Sequence, residues 1–335
     1  MNDMLVDAFD DLMQSACTPA AVRAIEEGAS HAELWQAIVG SGFTDALVPA
    51  EAEGSGLGLA EVYGVLVAAG NHAVPLPFAQ TLLARGLLAK HGATLPDGPI
   101  ALAPFGVRED ADGIQIGRVA YAMVADWVLA ALPQGGAILL QASQATREAD
   151  GIQGSLAGAM RWPSDAQITR LPEVSGVREI AALASSTLLA GAANRVLDMT
   201  LRFAGERSQF GKPIGKFQAI QQDLSVMAEH TYALRMASEM ACQTSDVTPK
   251  PLPVASAALR TASSACLISA TAHAVHGAIG VTAEFDLQLY TRRLQQWRTD
   301  AGSEGYWAGV VGNAALQSEA NALDFIRGEL FPQAA

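Results

Sequence analysis

The sequence predicts an α+β fold that is mostly α, in three parts: an N-terminal helical domain over residues 1–95, a small middle β domain over 96–175 and a C-terminal four-helix bundle over 176–335. Three observations predict it. Apolar residues recur at three- and four-residue steps in both outer parts. The middle part changes to short apolar runs broken by Gly, Pro and Asp. At 335 residues, half of them hydrophobic, the chain exceeds one ordinary domain and can bury a large core.

In the first part, "AELWQAIVGSGF" and "LAEVYGVLVAAG" carry the helical period, and the turn-rich "VPAEAEGSGLGL" links them. Pro75 and Pro77 make "AVPLPF" extended, because each ring locks φ and removes a donor; "AQTLLARGLLAKHG" is then a helix ended by Gly92. The middle part supplies "IALAPFGV", "GIQIGRVA", "WVLAALP", "GAILLQA" and "AQITRLP" as strands. In the third part, Phe217, Ile220, Leu224, Met227, Thr231 and Leu234 follow Pro213 at helical spacing and predict one buried stripe. "DVTPKPLP" breaks the helices at 246–253, a long helix ends at Gly277, and "EFDLQLYTRRLQQWR" begins another. Four long segments with short breaks predict an antiparallel bundle.

Charge and composition narrow the function. A net charge of −13 argues against nucleic acid and anionic membranes as partners, since both require basic surface. The best apolar run, "AMVADWVLAALPQGGAILL", is interrupted by Asp126 and Pro133, so no membrane span is expected. The acidic start "MNDMLVDAFDDLM" lacks the pattern of a targeting signal, which makes the cytoplasm the expected location. Cys17, Cys242 and Cys266 lie far apart without a CxxC pair and are expected to be small packed hydrophobes; none of the six histidines falls in an HExxH pattern, so no metal site is expected. Arg292 and Arg293 are expected to pair with Asp286 and neighbouring carboxylates along their helix.

Against that acidic background, residues 205–221, "GERSQFGKPIGKFQAIQ", concentrate one arginine and two lysines at a turn. A guanidinium held at a turn can grip a pyrophosphate with paired hydrogen bonds, which a lysine cannot. Phe210 can pack on a flat ring, and Gln209 or Gln218 can read its polar edge. The competing reading is a solvated connector in which Arg207 pairs with Glu206. Further on, His276 and Gly277 read either as a ligand contact or as a helix C-cap with a histidine beside the terminal carbonyls.

Taken in order, a helical N-terminal domain, a β domain and a bundle carrying "RSQFGKPIGKFQAIQ" and then "VHGAIGVTAEFDLQLYTRR" resemble the acyl-CoA dehydrogenase family over nearly the whole chain. The resemblance implies a flavoprotein fold assembled as a dimer or a dimer of dimers. The arginine turn of one subunit then grips the pyrophosphate and adenine half of an FAD bound mainly by its neighbour. On it, Arg207 matches the gripping arginine, Gln209 and Phe210 the polar and aromatic positions after it, and Gln218 the glutamine opening the next helix. His276, Gly277 and Ala278 stand in the second motif, where Ala274 replaces the family's glutamine and Ala278 one of its paired glycines.

Other departures carry more weight. The family's catalytic base is a glutamate at one of two places, which here hold Ala181 and Ala301; Glu179 and Glu304 lie near them and read as surface carboxylates. Nothing between 96 and 175 matches the flavin-covering "TEPxxGSD", and Trp127 and Trp162 read as core residues before they read as flavin-stacking ones. The resemblance therefore implies a short subunit of heteromeric type with no catalytic residue of its own. It would lend FAD contacts to a related partner chain that carries the base for α,β-desaturation of an acyl-CoA. An α2β2 heterotetramer acting on bulky thioesters, such as those of steroid degradation, fits that pattern. Two readings stay open beside it: a self-sufficient homo-oligomeric dehydrogenase using Glu304, and a non-catalytic scaffold.

Overall fold

A computed structural model describes residues 2–331. Helices α1 (Asn2–Ala16), α2 (Pro19–Glu26), α3 (Ala32–Gly40), α4 (Leu59–Asn71) and α5 (Phe78–Lys90) come first. The start of α2 is set locally: the Thr18 hydroxyl accepts the Ala21 N–H, and Pro19 occupies a first-turn position that needs no donor. The bend before α4 ends where the Glu61 carboxylate accepts the Gly58 N–H at 2.8 Å.

Eight strands follow: β1 (Ile100–Ala103), β2 (Val107–Asp110), β3 (Gly113–Val119), β4 (Trp127–Ala131), β5 (Ala137–Gln141), β6 (Thr146–Ala149), β7 (Gly158–Pro163) and β8 (Ile168–Leu171). They form two four-stranded sheets, ordered β1-β4-β5-β8 and β2-β3-β7-β6. β1 and β4 run parallel and the other pairings in these sheets are antiparallel. The continuous apolar runs of β4 and β5 are almost wholly buried, whereas β3 alternates, with Ile114 and Ile116 in and Gln115 out. Trp162 is fully buried and donates from Nε1 to the Gln141 carbonyl; Trp127 is half-buried and donates to that of Asp97. Both indoles are thereby tied into the β domain, in keeping with a core role.

The remaining helices are α6 (Val177–Glu206), α7 (Gln218–Ala241), α8 (Pro251–His276), α9 (Leu287–Asp300), α10 (Glu304–Gln317) and the short α11 (Ala322–Phe325). α6 is the axis of the core and packs against α4, α7, α8 and α9. Glycines allow the closest of these crossings: a Cβ on Gly70 would sit 2.2 Å from the Leu188 carbonyl oxygen, and one on Gly191 1.9 Å from that of Val67. On α7, Leu224, Met227, Thr231 and Leu234 are buried as the spacing predicts, while Phe217 and Ile220 are half-buried.

The structure departs from the sequence-based expectations at several points. The break before α8 is shorter than expected, since Pro251 opens the helix and three of the residues assigned to the break are helical. α10 and the short α11 are further helices beyond the four. Cys266 is exposed, unlike Cys17 and Cys242. α6 and the segment Pro251–Val281 are both long and apolar enough to cross a membrane by length and composition; 89% of the α6 window is buried within the protein, against 44% of the other. Arg292 and Arg293 do not pair along their own helix. Both reach Glu26 of α2, at 2.8 and 2.9 Å, and Asp286 pairs instead with Arg23 of α2 at 2.7 Å. The reason is spacing: Asp286 lies more than one helical turn from either arginine, outside the three- and four-residue neighbourhood in which side chains on one helix meet.

Candidate functional site

The C-terminal end of α6 runs directly into a hairpin. Arg207 caps the helix in an extended conformation, its N–H reaching the Phe203 carbonyl. The next residues form β9 (Ser208–Gln209) and β10 (Lys212–Pro213), antiparallel to one another. The Ile214 N–H donates to the Arg207 carbonyl at 2.8 Å and closes the hairpin. Phe210 and Gly211 form its tip with φ of 51° and 80°. Two positive φ values in succession suit a tight hairpin turn, but Phe is a costly residue to hold there. Its ring is 93% exposed. An aromatic ring held in a strained backbone and offered to solvent is a surface prepared for contact.

The hairpin rests on a small apolar cluster of Ala204, Ile214, Leu224 and Val275, with Phe203, Phe217 and Ile220 against it. Val275 brings the end of α8 into this cluster. Phe203 stacks on the His276 ring at 4.4 Å, and Lys212 lies 4.3 Å over the Phe217 ring. The residues after His276 are shaped by Gly277, whose φ of 65° and ψ of −145° belong to a backbone region open to glycine.

Between hairpin and α8 end lies a cavity of about 590 Å³, lined by Arg207, Gln209, Phe210, His276, Gly277 and Ala278 among others. That volume is within the usual range for small-molecule sites, about 300–1,000 Å³. Of the seven residues singled out from the sequence, these six meet at one cavity. Gln218, the first residue of α7, is exposed and is not part of its lining. Phe203 and Phe217 also line it; Phe217 fell in the predicted buried stripe, and no local signal singled out Phe203. The Arg207 side chain is exposed and has no ion pair, with Glu206 or any other acid, among the described residues. His276 makes the helix-end contact of the two roles the sequence left open. Its Nδ1 lies 2.8 Å from the Ala272 carbonyl oxygen, a helix-end contact, while its Nε2 is buried without a partner. An unpaired guanidinium, an open glycine backbone and an exposed aromatic ring are a donor set for a diphosphate next to a planar base.

The positions that would hold a base tell the opposite story. Ala181 and Ala301 are 3% and 5% exposed. Around Ala301 only about 10 Å³ is left open, against Trp297 and Trp307, which are themselves buried. Glu179 is half-buried, and Glu304 is exposed at the start of α10. A second cavity of about 390 Å³ lies where Phe105, β3 and the end of α9 approach one another. At its edge Arg118 bridges Asp150 at 2.7 Å and Asp300 at 2.9 Å. Burial pushes the Asp300 carboxyl above its ordinary pKa although Arg118 pulls it down. Nothing local in the sequence marks this pair, because Arg118 and Asp300 lie on different domains.

Residues 180–316 match the family model described as acyl-CoA dehydrogenase, C-terminal domain. The chain is 28% identical over 305 residues to acyl-CoA dehydrogenase IpdE2 of Mycolicibacterium smegmatis, spanning 87% of this chain and 91% of that protein. It is 30% identical over 319 residues to acyl-CoA dehydrogenase FadE34 of Mycobacterium tuberculosis, spanning 87% of this chain and 44% of that one. Its fold superposes on a chain of the ChsE4–ChsE5 complex from Mycobacterium tuberculosis with a TM-score of 0.81 at 22% identity, covering 95% of this chain and 98% of the other. A variant of the Tcur3481–Tcur3483 steroid ACAD gives a TM-score of 0.81 at 21% identity over 93% and 96% of the two chains.

Proposed function

The chain belongs to the acyl-CoA dehydrogenase family, and on that premise we propose that it is one subunit of a heteromeric acyl-CoA dehydrogenase whose partner chain carries the catalytic base. Its own part is to complete the FAD site at the nucleotide end. The observation that carries this reading is Arg207: a guanidinium lining a cavity, without an acid to neutralise it among the described residues.

The residues present fit that half of the cofactor. Arg207 would hold the diphosphate with paired hydrogen bonds. Gly277 leaves open space where any other residue would place a Cβ, so the backbone can lie close to the nucleotide. Phe210 would cover a ring face, and Gln209 would meet a polar edge. When bound, FAD supplies the two-electron acceptor for oxidation of the acyl chain. On this reading the proton acceptor comes from the partner chain, a reading supported by Ala181 and Ala301, which offer none, and by the tryptophans that crowd the space around Ala301.

A partner is also favoured by the surface. The apolar window of the Pro251–Val281 segment is less than half buried, and Leu316 on α10 is 87% exposed, so the bundle presents apolar faces that a second subunit would cover. The similar structures named above include a two-protein complex and a steroid ACAD. They favour a related dehydrogenase subunit as the partner and a bulky steroid-derived acyl-CoA as the substrate.

Co-expression with related dehydrogenase subunits, followed by a flavin spectrum and a stoichiometry, tests the reading. One FAD per heterodimer, lost on Arg207→Ala, is expected. An isolated chain that is fully flavin-loaded and reduces an acceptor with an acyl-CoA would establish a self-sufficient homo-oligomer instead. A complex that stays colourless would establish a scaffold.

A further inference from the structure

His276 carries an inference about which end of the nucleotide it meets. The residue is 5% exposed and forms part of the wall of the Arg207 cavity. Its ring orientation is fixed from two sides: Phe203 stacks on it at 4.4 Å and 27°, and Phe285 lies at 5.3 Å. Nδ1 is 2.8 Å from the Ala272 carbonyl oxygen. A carbonyl can only accept, so the hydrogen of this contact resides on Nδ1. Burial holds the imidazole below its ordinary pKa, so near neutral pH the ring has no second proton. Nε2 is therefore a lone-pair acceptor, and it is buried with no partner among the described residues.

A lone pair of that kind selects its ligand group. Phosphate oxygens are acceptors at neutral pH and would be repelled by it; an O–H or N–H would satisfy it. We propose that His276 recognises the adenosine end of the bound dinucleotide, accepting a hydrogen bond on Nε2 from a ribose hydroxyl or from the exocyclic amine of adenine, while Arg207 holds the diphosphate. This rests on the reading that the cavity takes FAD. It also supplies a polar contact near the place where the family motif has a glutamine and this chain has Ala274, which lines the same cavity but offers only a methyl group.

The test uses the co-expressed complex stripped of flavin, with binding measured by quenching of flavin fluorescence on titration with FAD, so that activity is not the readout. His276→Phe keeps the aromatic stack and removes Nε2, and should weaken FAD binding by about three- to tenfold, the value of one ordinary hydrogen bond. His276→Gln restores an acceptor and should recover part of the loss. Competition by ADP, 2′-deoxy-ADP, 3′-deoxy-ADP and inosine diphosphate identifies the donor. The wild-type complex should discriminate against the analogue that lacks it, and His276→Phe should not. Equal FAD affinity in wild type and His276→Phe overturns the proposal. So does a wild-type complex that binds all four diphosphates alike, a result that does not depend on any variant folding. If Arg207→Ala also leaves FAD affinity unchanged, it is the underlying reading of the cavity that fails; if Arg207→Ala weakens binding and His276→Phe does not, the histidine assignment alone is wrong.

Discussion

Replacing Glu26 with alanine tests how the N-terminal helices are fastened to the bundle. The Glu26 side chain is 5% exposed, and its oxygens lie 2.8 Å from Arg292 Nη2 and 2.9 Å from Arg293 Nη2. The two pairs are unequal. Arg292 is 26% exposed, donates also to Gln288 and to the Gln153 carbonyl, and keeps those contacts when Glu26 is gone. A partly solvated pair of that kind contributes about 0–1 kcal/mol. Arg293 is 3% exposed, and beyond this ion contact neither its Nε nor its Nη2 has a hydrogen-bond partner among the described residues. At an effective dielectric near 20, opposite unit charges about 4 Å apart attract by about 4 kcal/mol. Removing one of them leaves the other buried and uncompensated, which costs about 3–5 kcal/mol. Arg293 therefore sets the magnitude, and Glu26→Ala should lower stability by about 3–5 kcal/mol.

Urea unfolding followed by tryptophan fluorescence reads the effect, since the Arg293 guanidinium lies 5.8 Å from the Trp297 ring. Arg292→Ala should cost no more than about 1 kcal/mol. The double variant Glu26→Leu with Arg293→Met removes both charges while keeping apolar volume, and should regain most of the loss. A Glu26→Ala protein within about 1 kcal/mol of wild type, or a double variant no more stable than the single one, would refute the claim that this buried pair joins the two parts.

Other outcomes follow from the same structure. Arg207→Lys should lose FAD nearly as completely as Arg207→Ala in the co-expressed complex, because a point charge cannot make the paired contact; flavin content per heterodimer checks this. Ala301→Glu should not restore a base: the side chain meets Trp297 and Trp307 with about 10 Å³ of free space, so thermal denaturation should show a loss of about 1–3 kcal/mol from overpacking, and acyl-CoA-dependent acceptor reduction should stay absent in the isolated chain. Gly277→Ala should cost about 1–3 kcal/mol through backbone strain alone, because nothing lies within 4 Å of the added Cβ; an unchanged melting temperature would count against the strain. Asp300 links stability to pH. Its folded-state pKa is raised by burial and pulled back by Arg118, so its contribution is full below the ordinary carboxylate range and is lost as pH rises through the folded value. Arg118→Ala removes the pull, and the urea midpoint should then fall more steeply and at higher pH than in wild type; parallel profiles would exclude Arg118 as the controlling charge.

The sequence by itself determined whatever depends on contacts within a few residues. The helical stripe of α7, the alternation in β3, the ending of α8 at Gly277 and the arginine turn all follow from periodicity, from the φ limits of Pro and Gly, and from motif spacing. The same local signals located six residues of the candidate site, because the hairpin and the α8 end are each short continuous segments. Tertiary structure decided what those segments do together. The Glu26 partnership with Arg292 spans 266 positions, and the Arg118 to Asp300 bond spans 182. No local pattern encodes such pairs, since an arginine of given sequence context can find an acid on any element that folding brings within about 4 Å. Packing also left Arg207 unpaired among the described residues despite the adjacent Glu206, excluded Gln218 from the cavity by turning it to solvent, and set the His276 ring between Phe203 and Phe285 with Nδ1 against the Ala272 carbonyl, which fixes its tautomer. Which polar groups are satisfied and which are left to meet a ligand is a property of the whole arrangement, because desolvation and hydrogen bonding are settled only once every neighbour is in place.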